Sequence, residues 1–114
     1  MDSPRPISWV KVALKAFREF PAGAKLQVES ALTIAAFGRK ADIAKPLKGF
    51  DEGVFEIALR HRGDAFRVVY EVRIGADLWV VHAFQKKSRT GIKTPVQEID
   101  LIRQRLKRLK ETLQ

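Results

Sequence analysis

Cysteine is absent from the 114-residue chain. That rules out disulfide staples and any zinc site built on thiolates, and it is compatible with a reducing compartment. Histidine is nearly absent too: His61 and His82 are the only two, too few for a histidine-rich metal centre. Tyrosine occurs once, at Tyr70. No stretch approaches the roughly 18 apolar residues that cross a bilayer. The opening MDSPRPISWV carries Asp2 and lacks the charged-then-apolar order of an export signal. Motifs for familiar chemistries are missing as well: no Gly-rich phosphate loop, no Ser/His/Asp set and no HExxH pair. The sequence therefore predicts a soluble, cytoplasmic protein without membrane association, bound metal or cofactor.

Positive charge is plentiful. Lys and Arg total 22 against 13 acids, a formal net charge of +9. Each cation placed near a phosphate releases condensed counterions, so a small domain this basic points first to nucleic acid. An acidic protein or an anionic membrane would draw on the same field. The length suits one domain, residues 1–114, with a core that needs no staples. No internal repeat, low-complexity tract or linker interrupts it.

The periodicity gives an element order. Ile7 to Val10 reads as a short strand entered through two prolines. From Lys11 to Phe20, the residues Ala13, Leu14, Phe17 and Phe20 follow helical spacing, and Pro21 and Gly23 then punctuate. A second helix spans about Ala24 to Phe37, with Gly38 as its cap. Residues 38–53 read as a loop. Three strands follow: Val54–Arg60, Ala65–Ile74 and Leu78–Gln85, with turns at HRGD and GAD. In the second of these, Phe66, Val68, Tyr70, Val72 and Ile74 share one face. The other face is expected to stay partly open and to carry Glu56, Arg60, Arg67 and Glu71. The third strand is apolar on both faces, as a central strand should be. Thr94, Pro95 and Gln97 form a capping-box signature for a last helix. Ile99, Ile102, Leu106, Leu109 and Leu113 give that helix an apolar stripe, for docking on the domain or on a partner helix.

What remains as chemistry is a concentration of cations at strand ends. HAFQKKSRTG, residues 82–91, leaves the third strand with Lys86, Lys87 and Arg89; Arg60 and Arg67 lie on the preceding strands, and Lys45 and Lys48 in the loop before them. Breaking a phosphodiester without a metal requires cationic donors for the extra charge on phosphorus and a route for protons. Arginine suits the first task because its fork binds two phosphate oxygens and never loses its charge.

Four ordered blocks then resemble the RelE/ParE toxin superfamily, in its phage-derived, HigB-like branch: AKPLKGFDEGVFEI (44–57), DAFRVVYEV (64–72), HAFQKKSRTGIKTP (82–95) and IRQRL (102–106). The resemblance implies an α+β fold of order β-α-α-β-β-β-α, with an antiparallel sheet packed against a helical hairpin and a C-terminal helix. It implies the toxin of a type II toxin–antitoxin pair, an mRNA endoribonuclease acting on the ribosome by attack of the ribose 2′-OH on the adjacent phosphate. A helix-turn-helix antitoxin is the implied partner. Carried over by position, Arg67 resembles the arginine that stabilises the transition-state phosphate, and Lys87 or Lys86 the cation that ends the last strand. Lys45, Lys48, Arg60, Arg89 and Lys93 are the implied RNA contacts. Where RelE has two strand lysines this chain has Glu56 and Ala58, and RelE's helical tyrosine has no counterpart. The acid–base role therefore lies open among His82, placed with the catalytic set, His61 and Glu56; for each histidine alone a packing role is the simpler reading. Tyr70 reads as core. A ParE-like or non-catalytic member acting on a protein target such as DNA gyrase is the alternative.

Overall fold

A computed structural model describes residues 3–86 and 94–113. They form a three-layer α/sheet/α arrangement. The elements, in chain order, are β1 (Ile7–Trp9), α1 (Lys11–Arg18), α2 (Ala22–Ala36), β2 (Ala44–Pro46), β3 (Val54–His61), β4 (Asp64–Glu71), β5 (Leu78–Lys86) and α3 (Val96–Leu113). The sheet order is β1-β5-β4-β3-β2, antiparallel except where β1 runs parallel to β5. The expected α+β class and element order hold, with one strand added. Residues 44–46 lie inside the predicted loop yet pair with β3. Three residues ending in proline carry no readable strand period, and the sheet edge tolerates the missing donor.

The β3–β4 hairpin turns through Arg62 and Gly63, both at positive φ (54° and 86°). That backbone matches the twist of the flanking strands, which is why a glycine stands there. In the α1–α2 hairpin, Pro21 rather than Gly23 marks the junction, since α2 begins at Ala22. Gly23 instead lets the first turn of α2 lie against the His61 ring, where a Cβ would collide. Gly38, at φ +86°, ends α2 as expected.

One sheet face packs on α1 and α2 around Phe17, Phe20, Val28, Leu32, Ile57, Phe66, Val68, Tyr70, Leu78 and Val80. Tyr70 is core, 1 % exposed and stacked on Phe55 with ring centroids 5.3 Å apart. The other face carries Val54, Val69 and Val81, on which α3 lays Ile102, Leu106 and Leu109. So the apolar stripe of α3 docks on its own domain, although Leu113 at its end is exposed.

This docking corrects the expectation of a partly open face. Glu56, Arg67 and Glu71 are all buried, and Arg60 alone of the four is exposed. Ile74 likewise falls on the α3 side rather than in line with Tyr70. The cause is Glu71, whose carboxylate accepts the backbone N–H groups of Arg73 and Ile74 at 2.6 Å each. It ends the strand and turns the chain before the alternation reaches residue 74. Burial pushes the Glu71 carboxyl up from its ordinary value, against the pull of those two N–H groups. No described helix is long and apolar enough to cross a membrane.

Candidate functional site

The site is positioned by an irregularity in β5. Val69 pairs with His82, but the next residue, Tyr70, pairs with Val80, so Val81 is an extra residue in the strand. A bulge of this kind reverses the alternation beyond it. Before it, Leu78 and Val80 point to the α1/α2 side; after it, Ala83 does. Val81 and His82 are consecutive yet both face α3. From there Phe84 and Lys86 fall on the α3 side, where an unbroken period would have sent them to the opposite face.

Three cross-strand rows result. Arg60, Ala65 and Lys86 form the outermost; Ala58, Arg67 and Phe84 the next; Lys45, Glu56, Val69 and His82 the innermost. The first two rows have alanines, half-buried, where a larger side chain would fill the space between the cations. Arg67 Nη1 donates to Glu56 Oε1 at 3.1 Å, and the pair is buried, at 8 % and 6 % exposure. The second carboxylate oxygen of Glu56 accepts the Thr94 hydroxyl at 2.6 Å. Lys86 is buried beside them. Its ammonium pKa is pulled below the ordinary lysine value by burial first, then by the Arg67 charge, with Glu56 opposing and Arg60 adding. A lysine shifted in this direction gives up its proton more readily.

His82 is held differently. Arg105 Nη1 donates to its Nδ1 at 2.5 Å, and its Nε2 stands 2.6 Å from Glu98 Oε1. Arginine can only donate, so Nδ1 is the acceptor and Nε2 carries the proton. The ring is thus neutral, and burial, the largest influence, lowers its pKa. Both nitrogens are engaged by α3, which makes His82 the peg that fastens that helix to β5.

The structure therefore brings together Arg67, Lys86 and Arg60, with Lys45 on the same face beside Glu56. Lys48 lies apart, exposed in the loop after β2. Lys87, Arg89 and Lys93 fall outside the described residues. Sequence reasoning missed three participants. Thr94 looked like a helix cap, but its hydroxyl is spent on Glu56, 38 positions away, and α3 starts at Val96 with the Pro95 carbonyl accepting from Ile99. Nothing local signals that contact. Glu98 and Arg105 did leave a sign: seven residues apart, they share one face of a helix beside the apolar stripe.

A family model described as phage-derived protein Gp49-like matches residues 15–107. Among solved structures, the chain is similar to a double arginine-to-alanine mutant of E. coli toxin RelE in the free state, with a TM-score of 0.64 at 17 % identity, covering 93 % of this chain and 98 % of that one. The isolated E. coli RelE toxin gives 0.59 at 19 % identity, covering 87 % and 97 %. The Mycobacterium tuberculosis RelBE2 toxin–antitoxin complex gives 0.42 at 19 %, covering 77 % and 98 %. No curated protein sequence matches. At these identities the RelE likeness establishes the fold.

Proposed function

The chain belongs to the phage-derived Gp49-like family, and from that premise we propose that it is the toxin of a type II toxin–antitoxin pair, cutting mRNA on the ribosome. The observation that carries this reading is the bulge at Val81, which puts Lys86 on the same face as Arg67 and Arg60. Three cations converging over a floor of alanines suit a phosphate whose negative charge grows in the transition state. Arg67 takes the equatorial oxygens, Lys86 supplies a proton to the leaving 5′ oxygen, and Arg60 and Lys45 hold the flanking backbone. Lys87, Arg89 and Lys93 extend this cationic rim in sequence, with Lys48 as an outlying RNA contact. His82 takes part by fixing α3 over the site. The reaction needs no metal: the ribose 2′-OH attacks phosphorus as its proton passes to solvent, the P–O5′ bond breaks, and a 2′,3′-cyclic phosphate and a 5′-hydroxyl are left. In the cytoplasm, a helix-turn-helix antitoxin would restrain the activity by covering part of the +9 charge.

The test is expression of the chain alone, followed by mapping of breaks in ribosome-bound mRNA. Growth arrest with mapped cuts is the expected result. Arg67→Ala should lower cleavage about 10²–10³-fold, the usual effect of losing one transition-state donor, while the protein still folds. Arrest with intact mRNA overturns the nuclease reading. One observation favours a second reading, a non-catalytic or ParE-like toxin acting on a protein such as DNA gyrase: Arg67 is already buried against Glu56. Under that reading Arg67→Ala leaves the arrest untouched.

A further inference from the structure

The bulge in β5 interrupts a ladder that could run without it, so something has to hold it. Continuing the Tyr70–Val80 register one residue at a time would pair Val69 with Val81, Arg67 with Ala83 and Asp64 with Lys86. No residue is left over in that ladder. It would turn His82, Phe84 and Lys86 toward α1 and α2, the side of Phe66, Val68 and Tyr70, and away from Arg67. The observed register instead leaves Val81 without a partner on β4. Its buried side chain packs with Ile102, Leu106 and Leu109 of α3, and its carbonyl accepts a hydrogen bond from Arg105 Nη1 at 3.2 Å. The same Nη1 donates to His82 Nδ1 at 2.5 Å, on a ring that faces α3 only because of the bulge. One half-buried guanidinium therefore holds both the extra residue and the ring that the extra residue turns.

We infer that Arg105 is a positioning residue for Lys86: by holding the Val81 carbonyl and the His82 ring it fixes the bulge, and the bulge decides the face on which Lys86 emerges. The inference rests on the reading of Lys86 as the proton donor above. Arg105 touches no reacting atom; it acts from α3 through the register of β5. Arginine suits the task because it carries several N–H donors and keeps its charge at any working pH. Without it, a carbonyl and a ring nitrogen both lose a charged donor. His82 still resists entry into the apolar α1/α2 layer, so the unbroken register competes with the bulged one rather than replacing it. Lys86 then divides its time between the two faces.

The experiment compares the full chain with Arg105→Met, which keeps the apolar stem and removes the donors, by NMR of isotope-labelled protein. In the wild type, cross-strand NOEs should link Val69 and Arg67 with His82 and Phe84. In Arg105→Met a second set should appear, linking them with Val81 and Ala83, and Arg105→Lys, which still donates, should restore most of the first. In cleavage of ribosome-bound mRNA, Arg105→Met should lower kcat about tenfold with KM little changed, because kcat follows the competent fraction of molecules. In a Lys86→Ala background the same substitution should cost almost nothing, since Arg105 acts through Lys86. An unchanged NOE pattern in Arg105→Met, or an equal loss of kcat in both backgrounds, overturns the inference. If Arg105→Met does not fold, deletion of Val81 decides: it lets Val80 and His82 pair with Tyr70 and Val69 without a bulge, so Arg105→Met should then fold and keep the first NOE set. Failure there too makes Arg105 a general anchor of α3 and overturns the inference. A second NOE set with mRNA uncut by the wild type supports the placement of Lys86 and sinks the nuclease; cut mRNA with one NOE set does the reverse.

Discussion

Replacing Glu56 with alanine should destabilise the fold far more than removing both members of the buried pair. The Arg67 guanidinium and Glu56 carboxylate are 3.1 Å apart, with side-chain exposures of 10 % and 8 %. Neither has bulk water to fall back on. Taking away one partner of such a pair costs about 3–5 kcal/mol, because a charge stays buried without its counterion. Glu56→Ala should sit in that range, since arginine cannot shed its proton. Arg67→Ala should cost less, about 2–3 kcal/mol, as the stranded carboxylate retains the Lys86 charge nearby and the Thr94 hydroxyl. The double variant removes both charges of the pair, and a loss of about 1–2 kcal/mol is expected. Urea unfolding of the four proteins gives the cycle, with a coupling of about 2 kcal/mol or more. Additive effects, with Glu56→Ala below about 1 kcal/mol, would refute the argument that this pair is sealed from solvent.

Tyr70 is the sole tyrosine, so tyrosinate absorbance reports one group. Burial pushes its pKa up to about 12; the folded chain should titrate there and the urea-unfolded chain near 10, with stability lost as pH rises between the two. A folded midpoint near 10 would place the ring outside the core. The lowered pKa of His82 acts at the other end of the scale. Below about pH 6.5 the unfolded chain takes up a proton that the folded ring resists, so stability holds above that pH and declines beneath it. His82→Gln, whose amide can still donate to Glu98 and accept from Arg105, should flatten that decline; parallel pH curves for the two proteins would assign it to other groups.

Much of the fold is legible in the sequence because its parts obey local rules. The alternation in Val54–Arg60, the HRGD turn and the helical spacing of Phe17 with Leu14 each name their element without reference to anything distant. The site is legible in composition but not in arrangement. In β5 apolar residues occupy both faces, so the extra residue at Val81 breaks no visible pattern, and the side on which Lys86 emerges cannot be read. Charges at 56, 67 and 71 ordinarily mark a wet face; here α3 packs on that face, and the Arg67–Glu56 pair and the backbone N–H groups at Glu71 make their burial tolerable. The capping-box signal at Thr94 fails for the same reason. The Thr94 hydroxyl donates to a carboxylate on β3, and α3 starts only at Val96, two residues later.

The placement of β1 bears on how the chain assembles. Arg5 hydrogen-bonds the Ala76 carbonyl across 71 positions, and Ile7 stands opposite Leu78. Pairing over such a span must first overcome the entropy of closing a long loop, and a parallel strand has no hairpin to guide it. The β3–β4 and β4–β5 hairpins close over short turns, so they come first and β1 is added to a ladder already built. During synthesis the first strand to leave the ribosome is thus among the last to be used. Until β5 follows it out, β1 has no strand to pair with and Lys86 is not yet placed beside Arg67.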